Sequence, residues 1–408
     1  DKSFNQNSFI TLVNTNVTRQ KDFRNAHVLG LIGSVTNKKK THTFDGSIKN
    51  SFIQEANNFD LGFSTYFNIQ KISGNIKYSI LNYIESDKYD INDMGYLQEP
   101  NEINNNAHIA YKIFSSEESA AKKLNIKKGW VRFDVEHKML YKPFTYSKLI
   151  MKFNAGALNL NHLYMDFGLR YFFEEQDYSL TGGDKLFVRP PAIKISVGTS
   201  SNFNNPISLN LHGSLKYRLG HNYVVWEDYI NLHAYGRFNP RFRINNHAFL
   251  QYVIAVEKMQ NELGTTRDLA PLFSSRSEKS ITNKFIFTYA FNNKLNATIN
   301  ARHYWKTVNH VSFYELMNNG RLKMSNESGN NQNYNIWTLY TNIAWEYKPG
   351  STLSVVWQNI LEEDNNKIEK IFFNNINEFI ENTPSNIFSI KFTAYLDYST
   401  IFNNKKND

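Results

Sequence analysis

The chain has 408 residues, 41% of them hydrophobic and 15% aromatic, with no cysteine, and a mean hydropathy of -0.52. Absence of Cys excludes thiolate nucleophiles, Cys-based zinc sites and disulfides, and the lack of any apolar run near 20 residues excludes a spanning helix. Lys and Arg outnumber Asp and Glu by 46 to 37, a net +9, but they are scattered, which suits a solvated surface and points away from a nucleic-acid partner. Abundant Asn, Lys and Ile with few Pro suggest an AT-rich genome.

In chain order, alternating runs near residues 8–18, 26–36, 42–52, 59–84 and 104–114 predict strands, followed by further candidates near 128–139, 147–158 and 161–173. Between them Ser115-Ser116-Glu117-Glu118, a capping-box sequence ahead of Ser119 to Leu124, predicts a short loop helix. Ile207, Leu209, Leu211 and Leu215 then alternate with Ser208, Asn210, His212 and Ser214. Ile230, Leu232, Ala234 and Phe238 lead to Asn239-Pro240-Arg241, read as a turn, with Phe242 starting the return.

The last third carries the clearest period of two. Phe285, Phe287, Tyr289 and Phe291 approach the turn Asn292-Asn293-Lys294, after which Leu295, Ala297, Ile299 and Ala301 oppose Asn296, Thr298, Asn300 and Arg302. Trp337, Leu339, Ile343, Trp345 and Tyr347 share one parity up to the turn at 348–351, and Leu353, Val355 and Trp357 resume it. Phe388, Ile390, Phe392, Ala394, Leu396 and Tyr398 alternate with Ser389, Lys391, Thr393, Tyr395 and Asp397. One parity suits lipid and the other water. Short turns at 239–241, 292–294 and 348–351 alternate with long polar connections near 259–280, 308–332 and 359–385, and Phe238, Phe242, Phe291, Trp345 and Tyr347 crowd the short-turn end like an interfacial girdle.

These features predict an all-β chain: a transmembrane antiparallel β-barrel of roughly 16–18 strands, with short periplasmic turns and long extracellular loops, occupying 1–408 as one domain of a bacterial outer membrane. Its partners would be lipid and lipopolysaccharide, with other outer-membrane proteins as further candidates. A soluble β-propeller is the architectural rival, and would bury Trp345 and Leu396.

The water-facing parity (Ser208, Asn210, His212, Asn296, Thr298, Asn300, Arg302, Ser389, Lys391 and Thr393) is predicted to line a lumen, and its small polar character favours a channel or porin-like pore for small polar solutes. A non-conducting structural or interaction subunit and a surface glycan-binding protein are the alternatives, the latter resting on Tyr314, Glu315, Trp226, Glu227 and Tyr229 as stacking and hydrogen-bonding groups. A barrel phospholipase is a remote one, resting on His310 and Ser312 with Asn318 and Asn319 nearby. No phosphate loop, metallopeptidase pattern or nucleophile elbow occurs, so no enzyme, cofactor or metal site is expected.

Three stretches carry a family resemblance: Tyr89-Asp90-Ile91-Asn92-Asp93-Met94-Gly95-Tyr96-Leu97, Leu180-Thr181-Gly182-Gly183 followed by Pro190 and Pro191, and Phe313-Tyr314-Glu315-Leu316 with Gly320-Arg321-Leu322. They resemble a Bacteroidota family of surface proteins of unknown function, in which a carbohydrate-binding-like β-sandwich precedes a large C-terminal barrel. The family pattern usually carries Arg before the paired glycines and Pro after them, where this chain has Thr181 and Asp184. The resemblance implies the barrel fold and surface location, and that the chain is the C-terminal, membrane-embedded part of a longer precursor.

Overall fold

A computed structural model describes residues 2–396 except 6, 21–23, 56–57, 94, 98–99, 115–124, 179–184, 225–226, 246, 266–271 and 370; for 5, 219, 221–224, 227–229 and 265 it describes the backbone alone. The helix expected at 115–124 lies outside the described residues.

The first ten strands are β1 (Lys2–Asn5), β2 (Ser8–Val17), β3 (Asn25–Thr36), β4 (His42–Glu55), β5 (Asn58–Lys71), β6 (Ile76–Glu85), β7 (Glu102–Phe114), β8 (Ile126–Leu140), β9 (Thr145–Asn159) and β10 (Tyr164–Phe172). A small hairpin of β11 (Glu175–Asp177) and β12 (Phe187–Arg189) interrupts the series. It resumes with β13 (Ala192–Ser200), β14 (Ile207–Val224), β15 (Glu227–Arg243), β16 (Ala248–Thr265), β17 (Leu272–Asn292) and β18 (Leu295–Leu316). After β19 (Leu322–Ser325) come β20 (Gln332–Lys348), β21 (Ser351–Asn365), the helix α1 (Phe372–Phe379) and β22 (Ser385–Thr393).

All but β11 and β12 belong to one 20-stranded sheet, in which each long strand pairs antiparallel with the next. β10 pairs with β13 across the small hairpin, and β18 with β20 across β19. Two edges remain. β22 pairs with β21 alone among the described residues, and β1 covers only the first residues of β2, so the ladder that would join the ends is not formed.

Directly opposed residues share a face, so the register carries one apolar row around the sheet. Ile69 opposes Ile80, which leads through Ala107, Val135, Met151 and Tyr171 to Ile193 and Tyr217. On the far side Phe287, Ile299, Thr341, Trp357 and Phe388 continue in register. This face carries most of the exposed large hydrophobics, Ile80, Phe133, Phe153, Val197, Ile343 and Ile390 among them. The polar face is the crowded one: Ser51, Ser64, Asn68, Ser79, Ser208 and Asn239 are all buried there. Trp345 is 47% and Leu396 69% exposed, which overturns the propeller.

The connections correct two expectations. Residues 239–241 are no turn: β15 runs through them, Pro240 opposing Leu209 on the β14 side, and the turn falls after Arg243. Proline lacks the N–H of a full ladder. Pairing with β16 lapses between Phe238 and Arg241, where Gln251 Nε2 instead donates to Asn239 Oδ1 at 2.8 Å.

The long connections shrink, because β16, β17, β18 and β21 extend into the segments read as loops at 259–280, 308–332 and 359–385. On the apolar parity of β18 the row Leu295, Ala297, Ile299, Ala301 gives way to His303, Trp305 and Thr307. That leaves roughly 20–25 Å of apolar strand at about 3.4 Å per residue, with the strand continuing above it. The alternation is lost there because neither face is uniformly apolar.

At that same end the sheet builds a local cap. β19 pairs with β18 and touches β14 through one parallel bridge, Val224 to Leu322, closing a ring through β14–β18. Phe187 from the small hairpin joins Leu263, Phe273, Tyr314, Leu316 and Leu322 in the buried apolar cluster beneath it. Gly320 turns the chain at φ +80°, and its carbonyl accepts from Val188 N at 2.9 Å.

Candidate functional site

The polar face is cross-linked by charge. Asp45 on β4 accepts from Ser34 Oγ at 2.7 Å, Gln70 Nε2 at 3.1 Å and Asn68 Nδ2 at 3.3 Å. On β8 and β9, Glu136 meets Lys152 at 2.6 Å and Lys148 at 3.8 Å, and Arg132 meets Asp134 at 2.5 Å. Lys138 binds Glu102 at 2.9 Å, and further round Glu278 is held between Arg276 at 2.5 Å and Lys306 at 2.8 Å. Opposite charges interleaved along one wall leave it hydrophilic without a single sign.

Onto this wall folds the segment 86–97. After Ser86, whose backbone N bonds Phe63 O, the chain passes directly over Gly62, where a Cβ would lie 2.3 Å from Lys88 O and Tyr89 N. Gly62 opposes the buried Ser51 on the polar face, and Asp90 N donates to Ser51 Oγ at 3.0 Å. Tyr89 is buried beneath the segment, and burial, reinforced by the Glu85 charge, pushes its phenol up to about 12.

Two arginines clamp the far end. Arg24 Nη2 meets Asp90 at 2.5 Å and its Nε meets Asp93 at 2.6 Å, while Arg19 Nη1 meets Asp93 at 2.6 Å. The Arg24 hydrogen bond, outweighing partial burial and helped by Arg19, holds the Asp93 carboxyl below the usual carboxylate range. Burial would raise Asp90, but the Asn92 N–H and Arg24 outweigh it and its pKa is also lowered. The segment therefore bridges from β6 past β5 and β4 to the ends of β2 and β3.

A model of the domain of unknown function DUF5916 matches residues 1–405. The chain belongs to the DUF5916 family. None of the curated proteins matches it. In this DUF5916 chain the described parts of the three stretches singled out in the sequence are architectural. Tyr89-Asp90 and Asp93 fix the segment over Gly62, whereas Tyr314, Leu316, Gly320 and Leu322 build the cap. Residues 180–183 and Met94 lie outside the described residues; Pro190 is buried and its carbonyl accepts from Arg218 Nη1.

All ten predicted water-facing residues fall on the polar face: Ser208, Asn210 and His212 on β14, Asn296, Thr298, Asn300 and Arg302 on β18, and Ser389, Lys391 and Thr393 on β22. The sequence reading missed the charged set on β4, β8 and β9, although Arg132, Asp134, Glu136 and Lys138 already share one parity in the sequence.

The sugar-binding and phospholipase constellations do not assemble as expected. Tyr314 is buried in the cap cluster, Trp226 lies outside the described residues, and so do the side chains of Glu227 and Tyr229. His310 Nδ1 pairs with Ser274 Oγ at 2.8 Å instead of with Ser312, and Ser274 is fully buried, beyond the reach of a substrate. Among the described residues no three His, Asp or Glu side chains gather to hold a metal ion, and no helix is long and apolar enough to cross a membrane, which leaves strands as the means of crossing open.

Proposed function

We propose that this sheet is the wall of a bacterial outer-membrane β-barrel that passes small polar solutes along its polar face. The observation that carries the reading is the inversion of the two faces: a continuous apolar face is solvent-exposed while the polar, charge-paired face is packed. In water such an arrangement would leave a very large apolar surface uncovered, whereas lipid covers it at no cost and requires only that the backbone be paired within the sheet.

The long strands β2–β10, β13–β18 and β20–β22 are even in number, so β22 runs antiparallel to β2, the orientation in which the two edges can pair and close. Lipid and lipopolysaccharide would contact the apolar face. Reconstitution into planar bilayers tests the reading: discrete conductance steps with weak ion selectivity are expected, given the mixed signs on the wall. A purified chain that stays in the aqueous phase beside lipid vesicles would overturn the membrane reading, and one that inserts but never conducts would overturn the channel.

A non-conducting interaction subunit is the second reading, favoured by the segment 86–97, which occupies part of the polar face. Co-purification of a stoichiometric outer-membrane partner with a silent barrel would select it.

A further inference from the structure

The helix α1 lies on the apolar face. Its Phe372 packs on His303 and Trp305, and Phe379 on His303 from the other side, all wall residues sharing the parity of Ala301 and Leu339. Phe373 is exposed on the side away from the wall, and Ile380, just past the helix, is exposed at the cavity. The helix is amphipathic: beside Phe373 its outward side carries the exposed Asn374, Asn377 and Glu378, the last paired with Lys367 at 2.7 Å, and its apolar side lies on the wall.

What fixes it is an amide clamp. Trp305 Nε1, which can only donate, bonds Asn333 Oδ1 at 2.7 Å, so Asn333 presents its NH₂ to Asn375 Oδ1 at 3.3 Å. Asn375 Nδ2 consequently donates to Asn335 Oδ1 at 2.7 Å, and Asn335 Nδ2 returns a bond to Asn375 Oδ1 at 3.0 Å. The orientation of every amide follows from the indole. Asn335 Oδ1 is therefore an acceptor, and His303 Nε2, 3.4 Å away, is the protonated nitrogen that donates to it.

That leaves Nδ1 of neutral His303 as a bare acceptor. His303 is only 6% exposed, and among the described residues its Nδ1 has no hydrogen-bond partner. A buried acceptor without a donor is costly. The same histidine lines a cavity of about 470 Å³ between α1 and the wall, bounded also by Tyr252, Trp337, Leu361, Phe372 and Phe379, a size within the usual range of ligand pockets.

We propose that this cavity is a lipid site that takes a hydroxylated acyl chain, the chain lying among the aromatic and aliphatic walls and its hydroxyl donating to His303 Nδ1. The assignment rests on the membrane reading above, which puts lipid against the apolar band that ends at Ala301, next to His303 on the same parity. Only a donor satisfies the bare nitrogen, which selects a hydroxyl-bearing chain over a plain one. Asn283, whose Oδ1 accepts from the Tyr252 hydroxyl at 2.8 Å, and Asn359, whose Nδ2 donates to Asn386 Oδ1 at 3.0 Å, also line the cavity, and each has a further amide N–H for the hydroxyl's own acceptor side.

Native mass spectrometry of the whole chain in detergent tests this, using an equimolar mixture of methyl 3-hydroxytetradecanoate and methyl tetradecanoate as probes. One hydrogen bond to a buried acceptor corresponds to a preference of about tenfold for the hydroxylated ester. His303→Phe, which keeps the ring and removes the acceptor, should bring the ratio near one, and Ile376→Trp, which fills the cavity, should abolish binding of both esters. Equal occupancy in the unmodified protein, a preference retained in His303→Phe, or unchanged binding in Ile376→Trp would each overturn the proposal. Quenching of Trp345 and Trp357 by brominated lipid in vesicles reports the membrane reading separately, and neither ester result alters it.

Discussion

Replacing Gly62 by alanine perturbs one contact and leaves the sheet otherwise intact. The new Cβ would sit 2.3 Å from the carbonyl of Lys88 and the Cα and N of Tyr89, far inside van der Waals contact, and backbone on both sides leaves nothing flexible to yield. The segment 86–97 must lift by more than an ångström, which removes the Asp90 N to Ser51 Oγ bond and re-exposes Tyr89. Returning a buried aromatic to water costs roughly 1.5–3 kcal/mol and a lost hydrogen bond about 1 kcal/mol, so opening should become easier by about 3 kcal/mol, on the order of a hundredfold. Within β5 itself alanine is at least as acceptable as glycine. Limited proteolysis at Lys88 is the assay: cleavage should accelerate by up to that factor while heat-modified electrophoretic mobility of the sheet stays unchanged. In bilayers, if the segment narrows the polar passage, conductance should rise. Cleavage at the original rate would refute the close approach and with it the placement of the segment over the polar face.

Three further outcomes follow from other contacts. Asp93 and Asp90 have lowered pKa values, and a depressed carboxylate contributes stability that is present above its unfolded pKa of about 3.9 and is lost as pH falls through the folded value. Amide exchange of 86–97 should therefore accelerate below about pH 4, and Asp93→Asn should reproduce the acceleration at pH 7; exchange independent of both would refute the clamp. Gly320→Ala places a Cβ 2.7 Å from Val188 Cγ2 at a φ of +80°, and should loosen the cap by roughly 1–3 kcal/mol, read as faster proteolysis between 317 and 331 with the rest of the sheet unaffected. The chain lacks cysteine, so single cysteines stepped along 11–17 of β2 and 386–392 of β22 should cross-link at one antiparallel register in membranes; no cross-link at any register would exclude direct pairing of these edges.

How much of this was legible depended on what each side chain faced. Where one parity is apolar and exposed and the other polar and packed, as in Leu295 to Arg302 and Trp337 to Tyr347, alternation alone separated the two faces of the sheet. Above that band His303, Trp305 and Thr307 follow Ala301 on the same parity, and the alternation vanishes although the strand does not, so strand was read as loop. Pro240 misled for the opposite reason: its composition signalled a turn, while the register let a residue without an N–H sit where β15 and β16 part. The segment 86–97 offered no periodicity, and its placement depends on contacts distant in sequence, of Tyr89 with Gly62 and of Asp90 with Ser51.

The charged wall and the clamp under α1 differ in the same way. Arg132, Asp134, Glu136 and Lys138 alternate within one strand, so their shared face could be read locally, whereas Asn333, Asn335 and Asn375 become one site only when a connection of the chain folds back onto the strands preceding it. Polar residues buried on an otherwise apolar parity are expensive unless paired. His303, Asn333 and Asn335 in succession on the parity of Leu339 are therefore a sequence signal that something must cover the wall there, and the amphipathic stretch that supplies a matching asparagine, Phe372 to Phe379, is the nearest following segment able to do so. Asn333 and Asn335 are satisfied by Asn375 of that helix and His303 Nε2 by Asn335, whereas His303 Nδ1 is left over among the described residues, which is why the pocket calls for a donor from outside the chain.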